Sequence, residues 1–96
     1  IGALIASNDL AALEPLANEA ADRYPTQPYF QYAKGWVLNK KGKHKQAIGE
    51  LEAALDLILD DVSLTNKIYG ELAQAHTALG STSKANMYLR KIKPGF

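Results

Sequence analysis

The chain of 96 residues contains no cysteine. That removes disulfides, thiolate metal sites and cysteine nucleophiles, and it leaves the compartment open. Charge of one sign is lacking too. Eleven Lys and Arg stand against ten Asp and Glu, interleaved along the chain, for a net charge of +1. No field for nucleic acid or an anionic membrane surface follows from that balance. No apolar run reaches the ~20 residues of a membrane span, so direct membrane insertion by this segment is not expected. The two histidines, His44 and His76, have no ligand-spaced companions, and a metal site needs several converging ligands. Ser63, His76 and Asp61 make a triad only on paper, because nothing local orients a base against a nucleophile. Neither catalytic residue, metal nor cofactor is assigned, and the segment reads as non-enzymatic.

What is present is a core-forming composition. Hydrophobic residues make up 47% of the chain, ordinary for one small globular domain. A domain of this size buries roughly 60–65% of its unfolded surface, so modest stability is expected.

The central stretch, residues 30–57, reads FQYAKGWVLNKKGKHKQAIGELEAALDL. Tyr32, Gly35, Trp36, Leu38 and Asn39 follow a mixed three/four spacing. Ala47, Leu51, Ala54, Leu55 and Ile58 follow it cleanly, which lays each set along one helix face. Lys40, Lys41, Gly42 and Lys43 interrupt the pattern. Gly42 adopts a left-handed backbone at low cost and ends the first helix, and the lysines suit the negative end of its dipole. So short a turn forces the two helices antiparallel and into contact. Gly35, Ala47 and Ala54 are the small residues that permit the approach.

These residues resemble a tetratricopeptide repeat over positions 28–57. The small residue in the first helix is Gly35, followed by Leu38, the turn Gly42, then Ala47, Leu51 and Ala54. Two family features are missing: Gln31 stands in place of the early Trp, and no Pro follows the second helix. The pattern recurs. Gly80 lies 38 residues after Gly42, with Ala73 and His76 before it and Ala85, Leu89 and Ile92 after it. Upstream, Leu13, Ala17 and Ala20 match the second-helix positions, Asn8 replaces the turn glycine and Pro25 follows. The division expected is a partial repeat over 1–25, with its first helix surviving as residues 1–6, and full repeats over 26–60 and 61–96. The family's period is about 34 residues. The four extra residues fall at 58–61, predicting a second helix in the middle unit about one turn longer than usual.

Further local expectations follow. Pro15 lies inside the helix over 9–23 and is expected to bend it. Thr26 or Gln27 opens the next helix, with Pro28 in its first turn. Asp60 and Asp61 suit a helix start rather than a cation site, and Ser81, Thr82 and Ser83 cap the last helix. His44 is expected in solvent, and His76 partly buried and hydrogen-bonded. The last helix is expected to pack through Ala85, Tyr88, Leu89 and Ile92. A start at Ile1 without Met, inside a half-helix, points to a processed or cut chain.

The resemblance implies an all-α fold, antiparallel helical hairpins stacked as a right-handed α-solenoid, whose concave face is lined by the first helix of each pair. Those residues are Tyr29, Tyr32, Trp36, Asn39 and Lys40 in the middle unit. In the last unit they are Lys67, Gly70, Gln74, Thr77 and Ala78. Tyrosines and the sole tryptophan beside an amide and a lysine suit an interface, so the expected function is a scaffold binding a protein or peptide partner. Trp36→Ala is accordingly expected to weaken binding more than stability. Aromatics occupy most of the places where some family members clamp a terminal carboxylate, which argues against that mode. The alternative is a self-associating module, a homodimer through exposed end helices, within a larger envelope-associated protein. The stretch 24–61 is also similar to repeat proteins of Bacteroidetes-type bacteria, several of them exported lipoproteins, which implies the cell envelope, with the cytoplasm as the alternative.

Overall fold

The computed structural model describes Ile5 and residues 9–94. The half-helix expected at residues 1–6 and the turn position Asn8 lie outside the described residues, apart from Ile5, which packs against the core. Five helices are described, and no strand among the described residues: α1 Leu10–Arg23, α2 Pro28–Lys40, α3 His44–Leu57, α4 Val62–Ala78 and α5 Thr82–Lys91. Each helix packs on the next, and α2 also packs on α4. The radius of gyration is 12.6 Å, near the value expected for about 100 compact residues.

The hairpins α2–α3 and α4–α5 close in the same way. Gly42 and Gly80 have φ of +79° and +80°. Behind the first, Lys43 N–H donates to Leu38 C=O at 2.9 Å and Gly42 N–H to Asn39 C=O at 3.0 Å. Behind the second, Ser81 N–H donates to His76 C=O at 2.8 Å and Gly80 N–H to Thr77 C=O at 3.0 Å. Both are Schellman closures, which satisfy carbonyls that the helix end would leave open. Lys43 and Ser81 then serve at once as the last residue of the closure and the N-cap of the following helix. The expected side-chain cap at Ser81 is not made.

Gly35 is where α2 and α3 come closest. A Cβ there would lie 2.6 Å from Leu51 Cγ and 2.7 Å from its Cδ2. Leu51, Ala47 and Ala54 are fully buried, joined by Leu13 and Ala17 from α1 and by Ile68 and Leu72 from α4. In α1 the buried positions are Leu13, Ala17 and Ala21, while Ala20 is half-buried. The helix runs unbroken through Pro15. Gln27 is the N-cap and Pro28 opens α2, as the sequence leads one to expect.

The middle unit corrects one expectation. Its second helix does not run long. α3 stops at Leu57, Ile58 is extended (φ −85°, ψ 129°), and residues 58–61 form the link to α4. Asp60 and Asp61 would sit unfavourably on the negative end of a prolonged α3. Asp61 instead accepts from Leu64 N–H at 2.9 Å and caps α4. α4 is the long helix, with 17 residues.

The packing face of the last helix is covered only in part. α5 packs through Ala85 and Tyr88, while Leu89 is 51% and Ile92 39% exposed. Leu89 corresponds to the fully buried Leu51, 38 positions earlier. α4 covers α3, whereas no described helix covers the equivalent face of α5.

Candidate functional site

The expected groove residues lie on α2 and α4, which pack on each other. On α2 the set separates into two rows. Tyr29, Trp36 and Lys40 follow one stripe at intervals of seven and four. Tyr32 and Asn39, seven apart, are turned by part of a turn toward α4. Tyr29 and Tyr32 rings lie 5.8 Å apart, and Lys40 Nζ sits 5.2 Å from the centre of the Trp36 ring, a cation–π arrangement.

Burial sorts these residues. Tyr32, Trp36 and Asn39 are 6–7% exposed and form the floor. Tyr29 is half-buried, and Lys40 is exposed at the rim. Trp36 is thus a buried residue with one face under Lys40, so Trp36→Ala is expected to cost stability as well as binding.

Asn39 joins three helices. Its Nδ2 donates to the Glu71 backbone carbonyl at 3.0 Å and to Glu71 Oε2 at 3.1 Å. Its Oδ1 pairs with His44 Nδ1 at 3.0 Å. A buried amide with every polar atom engaged fixes geometry, because each lost partner leaves a desolvated group unpaired. His44 is therefore half-buried and bonded rather than solvated. His76 is buried as expected but stacks on Tyr88, with ring centres 5.7 Å apart and planes 14° apart. Among the described residues its ring has no hydrogen-bond partner.

Glu71 is the groove residue that the sequence reading missed. Burial pushes its carboxyl above the ordinary value, while the Asn39 hydrogen bond and the nearby Lys40 charge pull it back. Its charge, after burial, also helps push the Tyr32 hydroxyl up to about 12, with Tyr29 adding to the effect. Glu71 stands four residues after Lys67 and three before Gln74, which puts all three on one face of α4. That spacing was the available signal.

Lys67 and Gln74 are exposed beside it, Gly70 is half-buried, and Thr77 and Ala78 are exposed. Thr77 Oγ1 donates back to the Ala73 carbonyl at 2.8 Å, so its hydroxyl is occupied within its own helix. The accessible surface is thus Tyr29, Lys40, Lys67, Glu71 and Gln74 over a floor of Tyr32, Trp36 and Asn39.

Among the described residues no set of three or more His, Asp or Glu side chains is grouped to hold a metal. No described helix is long and apolar enough to cross a membrane. Compared with known proteins, the chain matches no family model, no curated protein and no solved structure.

Proposed function

We propose that the chain is a tetratricopeptide-type segment, a right-handed solenoid of helical hairpins that binds a protein or peptide partner on its α2–α4 face without catalysis. The observation that carries this reading is the shared face itself. A rigid floor of Tyr32, Trp36 and Asn39 lies under Tyr29, Lys40, Lys67, Glu71 and Gln74, which offer aromatic, cationic, anionic and amide contacts. Aromatic anchors over a preorganised floor concentrate binding energy at low ordering cost. The paired Schellman closures and the repeated hairpin packing support the repeat reading.

The test is a peptide selected from a random display library on the intact chain. Lys67→Ala and Gln74→Ala together, both at exposed positions, are expected to weaken that peptide about tenfold or more while leaving thermal melting nearly unchanged. Unchanged affinity in the double variant would place binding elsewhere.

A second reading is self-association through the end of the stack. Met87, Leu89 and Ile92 are 41%, 51% and 39% exposed on or just beyond α5. Sedimentation over a concentration series decides it: a dimer that Leu89→Lys dissociates supports this reading, and a monomer throughout removes it.

A further inference from the structure

We propose that a second docking site, on the side of α4 away from the α2–α4 face, takes an extended peptide segment combining acidic and apolar residues. A cleft of about 580 Å³ lies where α3 ends, residues 58–61 cross to α4, and α5 ends. Its place in the molecule comes from the lengthened link. Gly42 and Gly80 are separated by 38 residues, against a family period of about 34, and the added length forms this wall. From α4 the cleft takes Val62, Thr65, Asn66 and Tyr69. The helical period sets these roughly opposite Lys67, Glu71 and Gln74, so the site is independent of the proposed groove.

Two features of the lining point to the occupant. Leu55, Ile58 and Val62 supply an apolar surface, with Leu59 fully exposed beside them. Arg90, Lys91 and Lys93 supply positive charge, and none of them takes part in an ion pair among the described residues. One cation and the backbone of a second are held in place. Lys91 Nζ sits 6.0 Å from the Tyr69 ring centre and 5.9 Å from that of Tyr88. The Lys93 backbone is clasped by Asn66, whose Nδ2 donates to Lys93 C=O at 2.6 Å and whose Oδ1 accepts from Lys93 N–H at 3.0 Å. Of the two carboxylates in the lining, Asp61 is committed to Leu64 N–H at the positive end of α4. Asp61 keeps its charge there, so the lining holds three cations against two carboxylates, an excess of one positive charge.

A small ligand needs most of its surface enclosed, and this cleft is only about half enclosed. An extended chain laid across it uses such a surface better. Its acidic side chains meet Arg90 and Lys93, with Arg90 able to hold a carboxylate through two parallel bonds. Its apolar side chains rest on Leu55, Ile58 and Val62.

Fluorescence anisotropy on the intact chain tests the proposal with labelled Glu-Leu-Glu-Leu-Glu, the matched Lys-Leu-Lys-Leu-Lys, and decanoate as competitor. The acidic peptide is expected to bind at least about tenfold more tightly than the basic one, and more weakly as salt rises. Arg90→Glu with Lys93→Glu is expected to remove about tenfold or more of that affinity without changing the helical circular dichroism. Leu59→Asp, on a fully exposed side chain, is expected to weaken it further. A peptide selected on the α2–α4 face is expected not to compete. Equal binding of both peptides, no binding of the acidic one, indifference to the double variant, or full displacement by decanoate would each overturn the proposal.

Discussion

At the scale of single residues, burial and hydrogen bonding decide what each position does. Trp36 has 7% of its surface exposed, so Trp36→Ala is expected to lower the unfolding free energy by about 3–5 kcal/mol in a urea titration. Loss of binding in that variant would then report loss of the floor. Glu71 makes a prediction with a definite sign. Its carboxyl titrates above the ordinary 4.5 because of burial, so the folded chain holds that proton more tightly than the unfolded one. The group's contribution is full below the ordinary value and is lost as pH rises through the raised one. Glu71→Gln cannot ionise, so its stability relative to the parent is expected to rise from about pH 4 to about pH 7 in paired urea titrations. A constant difference would mean that Glu71 is not desolvated in the fold.

At the scale of elements, two helical glycines differ in what surrounds them. Gly35 faces Leu51 with no room for a methyl group, whereas Gly49 in α3 has nothing near its missing Cβ. Gly49→Ala is expected to stabilise by about 0.5–1 kcal/mol through helix propensity alone. Gly35→Ala gains the same propensity but overpacks a buried leucine, an effect of about 1–3 kcal/mol, and is expected to be neutral or destabilising. The difference between the two variants in thermal melts is the informative quantity. Asp61→Ala removes the cap on α4 and is expected to destabilise by about 1 kcal/mol.

Helix identity and the hairpin turns were legible in the sequence. The three/four spacing of Ala47, Leu51 and Ala54 and the position of Gly42 depend on local geometry alone. The fate of residues 58–61 was not. Apolar Ile58 and Leu59 continue the helical pattern, and only the competition between prolonging α3 and capping α4 through Asp61 ends it at Leu57. The site was legible by face but not by depth. Spacing put Tyr29, Tyr32, Trp36 and Asn39 on one side of α2, yet how far each sinks depends on α4 and on Glu71, a contact 32 residues away from Asn39 in the chain.

At the scale of the whole molecule, three surfaces are candidates for a proposed partner: the α2–α4 face, the cleft behind α4, and the uncovered side of α5. They differ in chemistry, so one structural map separates them. The α2–α4 face combines a rigid floor with mixed polar rims, and the cleft has cations over aliphatic side chains. The side of α5 offers Met87 and Leu89, with Ile92 just beyond its end. At 10.4 kDa the chain is well suited to residue-by-residue NMR. The decisive measurement is a titration of the isotope-labelled chain with the display-selected peptide, following backbone amide shifts. The shifts are expected to concentrate at Tyr29, Lys40, Lys67, Glu71 and Gln74, with the indole N–H of Trp36 moving as the floor responds. Shifts confined to Leu59, Arg90 and Lys93, or to Met87 and Leu89, with the α2–α4 face silent, would contradict the groove as the site of recognition.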